Sequence, residues 1–363
     1  MKRFRIHRIR PLLLAWACVL VASASAHPAP GAEATSEIAA PPPYKLADGP
    51  YQVEQARNVA LHDAKRDKDL RVTATYPKGD GPCPTIVFSH GAGGAGDTRM
   101  PLIRFWASHG YVILAPTHAD SIALRRGKEP DVNMGSIMRK AMADGDGWKN
   151  RARDVSFVID SLGQIQEKVP ALKGKLDAKR LGVGGHSYGA YTSQLIAGAR
   201  VALPAGVEAT TLADERPRAF LLLSPQGRGQ MGLAANSWEK IARPMMAMTG
   251  SRDRGATGQG PEEKLEPFKL APAGDKYGVL IRDAYHMSFL GRTSDIDGGA
   301  AALTLLMSPG IAETDQAAVF NQIKVATIAF WDAYLRDDAK AKANLQSDAL
   351  ATWSKGAVRL DRK

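Results

Sequence analysis

Apolar positions along this chain fall into two rhythms. Short unbroken runs, Pro84-Thr85-Ile86-Val87-Phe88, Tyr111-Val112-Ile113-Leu114-Ala115, Phe220-Leu221-Leu222-Leu223 and Met245-Met246-Ala247-Met248, predict strands covered on both faces, with Val279-Leu280-Ile281 as a further member. Between them the period changes to that of a helix. Ala152, Val155, Val158, Ile159 and Leu162 share one face of the stretch from Lys149 to Leu162, and Phe320, Ile323, Ala326, Phe330 and Tyr334 share one face of Ala317 to Leu335. Alternating strands and helices predict an α/β class domain with a mostly parallel sheet and helices on both faces. Ahead of it, Tyr51 to Pro77 carries β-favouring segments such as Leu70 to Tyr76, which predict a leading antiparallel strand pair.

Three segments break the rhythm. Residues 27–49 are rich in Ala and Pro, include Pro41-Pro42-Pro43 and lack periodicity, so they read as a flexible linker before a domain spanning 50–338. Residues 121–148 are charged, with Arg125, Arg126 and Asp144-Gly145-Asp146-Gly147, and form either a lid or an ordinary surface insertion. Residues 339–363 alternate charged and small side chains and read as a charged tail, with a surface helix at most.

The N-terminus sets the address. Lys2, Arg3, Arg5, Arg8 and Arg10 precede an apolar run from Pro11 to about Ala22, and Ala24-Ser25-Ala26 follows. This is the pattern of an export signal over residues 1–26, too short in its apolar part for a span of about 20 residues. It predicts a periplasmic or secreted protein without stable membrane insertion after cleavage, an uncleaved anchor being the alternative. Cleavage removes five positive charges and no negative ones, taking the net charge from +11 to +6. That modest excess, without a dense basic run interleaved with aromatics, argues against a nucleic-acid partner. Cys83 is the only cysteine beyond the signal, so no internal disulfide can form and the core must supply stability.

The chemistry is carried by Gly185-His186-Ser187-Tyr188-Gly189, which follows the apolar run Leu181 to Gly184 and precedes a helix-like stretch. G-x-S-x-G between strand and helix is the signature of a nucleophile elbow, whose glycines let the two elements pass closely around a strained serine. In a glycine-rich chain the same pattern could be a plain βα turn, so the context matters. A serine hydroxyl needs a histidine to take its proton and a carboxylate to fix that histidine's tautomer. His286 is the only histidine C-terminal to Ser187. Asp253, just past the Met245 run, is the preferred acid, with Glu262, Glu263 and Asp275 as competitors. The amides of Ala92, in the glycine turn after Phe88, and of Tyr188 are the candidate oxyanion donors. Trp148, Met134 and Met287 are candidate walls of the substrate pocket. His118 and Asp120 form an H-x-D without a third ligand, so His118 reads as a buried, hydrogen-bonded strand-end histidine and no metal is expected. The chemistry requires no cofactor.

These residues resemble the α/β-hydrolase superfamily, in particular its dienelactone hydrolase-like and platelet-activating-factor acetylhydrolase-like group. The resemblance covers about Tyr51 to Leu335 and rests on Phe88-Ser89-His90-Gly91, Trp106-Ala107-Ser108-His109-Gly110-Tyr111, the helix from Arg151 to Leu162, Gly185 to Ala190, and Phe330-Trp331-Asp332-Ala333-Tyr334-Leu335. It implies Ser187 as nucleophile, His286 as base and Ala92 and Tyr188 as oxyanion donors. The acetylhydrolase-like members place their acid after the strand ending here in Leu223-Ser224-Pro225-Gln226, which has no carboxylate. Asp253 matches the dienelactone hydrolase-like position instead, although those enzymes carry a cysteine nucleophile. The expectation is a serine esterase acting on a small-molecule or lipid ester of short-to-medium acyl length. The alternatives are a lipase or phospholipase, a polyester hydrolase, a peptidase, or a catalytically silent binding module.

Overall fold

The computed structural model describes residues 44–363, apart from 99, 127, 130, 144–145, 203–210, 256–257 and 297. The expected export signal and most of the expected linker lie outside the described residues. Nine strands form one sheet: β1 (Val53–Asp63), β2 (Lys68–Pro77), β3 (Cys83–Ser89), β4 (Val112–Thr117), β5 (Leu176–His186), β6 (Ala219–Leu223), β7 (Met245–Gly250), β8 (Lys276–Ile281) and β9 (Val358–Arg362). Their order across the sheet is β1-β2-β4-β3-β5-β6-β7-β8-β9. The six strands from β4 to β8 run parallel, while β1, β2 and β9 are antiparallel to their neighbours.

The apolar runs become the parallel strands because each alternates its side chains between two buried layers. Ile86 and Phe88 of β3, and Leu221 and Leu223 of β6, point into one core, shared with the helices Pro101–Ser108 and Gln316–Leu335. Val87, Phe220 and Leu222 point into the other, packed by the helices Gly147–Asp160, Leu162–Lys168 and Tyr188–Ile196. A parallel sheet needs cover on both faces, and these two helix layers provide it. From β3 the chain steps outward to β4 and then returns to β5 on the other side, so the direction of winding reverses between β3 and β5. In open parallel sheets, the carboxyl ends of the strands at such a reversal form a crevice.

Two expected boundaries change, and one segment read as loop-like gains helices. Residues 44–49 belong to the fold: Tyr44 Oη and Lys45 Nζ donate to the buried Asp332 at 2.9 and 2.6 Å, and the Gly49 amide donates to Ser108 Oγ at 2.9 Å. The segment 121–148 is partly helical, with Ile122–Arg125 and Met134–Ala143, and Val132 and Ile137 are buried. The expected charged tail folds into the helices Ala339–Gln346 and Ala349–Trp353 and then supplies β9, which pairs with β8. Its charges conceal a period-2 pattern: Val358 and Leu360 alternate with Arg359 and Asp361, as an edge strand requires. Among the described residues no helix is long and apolar enough to cross a membrane.

Candidate active site

Four neighbouring parallel strands each release one side chain at the carboxyl edge. Ser187 follows β5, Ser224 follows β6, Asp253 lies three residues past β7, and His286 lies five past β8. The backbone ladder extends beyond the strands to fix them: the Ser187 amide donates to Leu223 O at 2.9 Å and the Ser224 amide to Met248 O at 2.7 Å. Past β7, the Ser251 amide donates to Ile281 O at 2.9 Å.

Ser187 sits at φ 55° and ψ −117° before the helix Tyr188–Ile196. For a non-glycine residue this backbone costs on the order of 1–3 kcal/mol, and it leaves the side chain half-exposed while its neighbours are buried. The flanking glycines are required by contact. A β-carbon at Gly189 would lie 1.9 Å from Ser89 O, and one at Gly185 would lie 2.3 Å from the Gly189 carbonyl carbon. Gly189→Ala therefore forces backbone against backbone, where no rotamer gives relief. We expect a loss of about 3 kcal/mol or more, read as a lower urea midpoint; an unchanged midpoint would mean that helix and β3 separate freely.

His286 Nδ1 donates to Asp253 Oδ1 at 3.0 Å, which leaves Nε2 as the acceptor facing Ser187 Oγ, also at 3.0 Å. Asp253 is fully buried, and its second oxygen accepts from Thr249 Oγ1 at 3.0 Å. Burial alone would raise its pKa; the His286 imidazole, hydrogen-bonded to it, and the Lys264 ammonium outweigh burial and hold it below the usual carboxylate range. The His286 ring rests 4.9 Å from that of His186, whose Nε2 donates to His286 O at 2.7 Å. Burial, with the neighbouring His286, pushes His186 down to about 3, so it serves as a neutral strut.

Ser224 and Lys264 also belong to this site. Ser224 Oγ lies 2.8 Å from His286 Nδ1, offering that N–H a second acceptor beside Asp253. Ser224 is buried and its φ is 52°. Lys264 is 2% exposed, donates to Ser224 Oγ at 3.1 Å and lies 3.6 Å from Asp253 Oδ1. Burial lowers its pKa against the attraction of Asp253. The sequence signals Ser224 only as the first residue past a predicted strand, and it gives no signal for Lys264. The position after β6 thus holds a hydroxyl paired with an ammonium where the acetylhydrolase-like pattern has a carboxylate.

The turn after β3 comes to the same place. A β-carbon at Gly91 would lie 3.5 Å from Ser187 Cβ. Ala92 is half-buried in this turn, and Tyr188 opens the helix on the other side. Of the candidate pocket walls, Met287 is buried and its amide donates to Ser308 Oγ at 3.1 Å. Trp148 is half-buried against the core layer that contains Tyr188. Met134 heads its helix, and its side chain lies outside the described residues. In the adjoining insertion Arg125 is paired with Glu129 at 2.6 Å, and Glu129 also accepts from Lys140.

Behind the turn lies a buried polar chain. His118 has Nε2 3.0 Å from Ser89 Oγ and Nδ1 2.9 Å from Asp154 Oδ2. Asp154 also takes Lys68 Nζ at 2.7 Å and Arg66 Nη1 at 2.8 Å. Burial, reinforced by Arg151, lowers His118 to about 4, as expected of a hydrogen-bonded structural histidine. Among the described residues no three His, Cys, Asp or Glu side chains gather as a metal site. No protein-family model matches the chain, and no curated protein matches its sequence.

Proposed function

We propose that this chain is an exported serine hydrolase of the α/β-hydrolase superfamily that cleaves carboxylic esters. One observation carries the reading: Ser187, held at positive φ on a strand-to-helix turn, meets His286 Nε2 at 3.0 Å while His286 Nδ1 is bonded to the buried Asp253. In this reading His286 removes the Ser187 proton as Oγ attacks the ester carbonyl, and the oxyanion is received by the amides of Ala92 and Tyr188. The tetrahedral adduct collapses, the C–O bond to the alcohol breaks, and the alcohol leaves with the proton from His286. Water, deprotonated by His286, then attacks the acyl-enzyme and frees the acid and Ser187. Asp253 remains ionised throughout and orients the imidazole.

Short-to-medium acyl groups are the first expectation. The runner-up, a lipase or polyester hydrolase, is favoured by a specific feature. The helix Gly298–Met307 has no charged residue, exposes Leu305 (50%) and Leu306 (74%), and is tied to the His286 loop by Ser308. Exposed leucines beside a reactive loop suit an apolar substrate surface.

The test is residues 27–363 treated with a fluorophosphonate probe, with hydrolysis of acetyl, butyryl and octanoyl nitrophenyl esters followed in parallel. Labelling confined to Ser187 with fastest turnover of the short esters is the expected result. Octanoyl preference transfers the assignment to the lipid or polyester class, and absence of labelling in a folded protein overturns the hydrolase reading in favour of a binding module.

A further inference from the structure

On the hydrolase reading, the amides of Ala92 and Tyr188 are two halves of one oxyanion cradle and must be held at a fixed spacing. In a trans peptide the C=O and N–H point in opposite directions, so a carbonyl held on one side aims the following amide to the other. Two successive carbonyls of the turn are held in this way. His90 O accepts from Arg151 Nη2, and Gly91 O accepts from His90 Nδ1 at 2.6 Å and from the Gly94 amide at 3.1 Å. The His90 tautomer is fixed as well, because its Nε2 accepts the His118 amide at 3.1 Å and leaves the proton on Nδ1. The Gly93 amide is taken by Asp120 Oδ2 at 3.0 Å, and Asp120 Oδ1 accepts from Arg151 Nη1 at 2.6 Å. Among the described residues the amides of Gly91 and Ala92 have no protein acceptor, and they are the ones aimed away from these bonds.

The same guanidinium reaches the other half. Its carbon lies 4.4 Å from the centroid of the Tyr188 ring, and Nε donates to Thr192 Oγ1 at 3.3 Å. Thr192 Oγ1 donates back to Tyr188 O at 3.0 Å, within the helix that begins after Ser187. Nη2 also reaches Ser89 Oγ at 3.2 Å, at the end of β3. Arg151 is 2% exposed. Its planar fork of five donors serves the β3 turn, Asp120 and the nucleophile helix together, which the three donors of a lysine on a single atom cannot do.

We propose that Arg151 is the positioning residue of the oxyanion cradle: it sets the spacing between the Ala92 and Tyr188 amides without touching substrate. A displaced cradle loses interactions made only in the transition state, so kcat falls while KM stays.

The experiment compares the wild type with Arg151→Met and Arg151→Lys in kcat and KM on the acetyl ester, counted per active site by fluorophosphonate titration. It adds the Ki of a trifluoromethyl ketone, whose adduct forms when Ser187 Oγ bonds the carbonyl carbon, the serine proton passes to His286 and the carbonyl oxygen becomes an oxyanion. Both variants are expected to lose about 100-fold in kcat, the scale of one oxyanion donor, with KM within about threefold and the ketone Ki raised by the same factor as kcat falls. Arg151→Lys carries the test if Arg151→Met does not fold, since it keeps the charge opposite Asp120. Unchanged per-site kcat and Ki in a folded variant overturn the proposal, as does a loss seen only as fewer active sites. A wild type that neither titrates nor turns over overturns the hydrolase reading itself, and is recognised because no variant is needed to see it.

Discussion

Ser187→Ala is expected to lower kcat by about a million-fold on the preferred ester while the thermal midpoint stays within a few degrees. The hydroxyl is the only atom lost, it points to half-exposed space, and alanine meets the same backbone strain at φ 55° as serine does. Residual turnover would come from the oxyanion cradle acting on water. A second serine makes this variant informative: Ser224 Oγ is closer to the His286 ring than Ser187 Oγ is, 2.8 against 3.0 Å. Ser224 nevertheless faces Nδ1, which carries the proton, and is fully buried, so it can neither give up its own proton there nor meet an ester. Nitrophenyl ester assays with Ser224→Ala as companion decide between them. More than a few per cent activity in Ser187→Ala would displace the nucleophile from the elbow.

Asp253→Asn is the second large effect, with kcat down by about ten-thousand-fold at neutral pH. An amide at this position can donate to Nδ1, which turns the imidazole tautomer and leaves a proton on the nitrogen facing Ser187. Stability should fall too, by on the order of 3 kcal/mol, because Lys264 is 2% exposed and would face a neutral amide in place of its carboxylate. Urea denaturation reads the second effect and steady-state kinetics the first. The competing acids are occupied elsewhere: Glu262 accepts from Lys269 at 2.6 Å, and Asp275 precedes β8, at the opposite end of that strand from His286, and accepts from Lys342 at 3.2 Å. Glu263 is on the surface of the same short helix as Lys264. Their amide variants should keep full activity, and loss in any of them with Asp253→Asn active would move the acid.

The parts of this site that depend on strand ends were legible in the sequence. Parallel strands read as apolar runs, and Ser187, Asp253 and His286 could be placed because each follows one of those runs at short distance. The glycine turn after β3, which comes close to Ser187, is legible for the same reason. What remained hidden depends on helices that return to the site from elsewhere. Arg151 lies at i−4 from Val155 and Asp154 at i−4 from Val158, so both charges fall on the buried face of an amphipathic helix; the pattern contains this signal, but a hydrophobic reading passes over it. Lys264 sits in a four-residue helix whose composition, Pro-Glu-Glu-Lys, reads as surface. Its partners, Ser224 past β6 and Asp253 past β7, are brought together by a long-range strand pairing that no local window contains. The strand β9 escapes a local reading because an edge strand with charges on alternate positions looks like a solvated tail until its partner is known.

That ninth strand has a consequence for the order of events during synthesis. The strand delivering His286 has β7 on one side and β9 on the other, and the Lys276 and Lys363 backbones exchange hydrogen bonds at 3.1 Å. While a ribosome is still making residues 282–357, β8 has an open edge, and Ser187 and its turn have long since emerged. At about 5–20 residues per second, Ser187 waits several seconds for His286, whose strand is still uncovered when it arrives. Until residues 358–362 are made, the far edge of β8 therefore lies open to pairing with any other strand, and closing that edge is the last step in building the sheet.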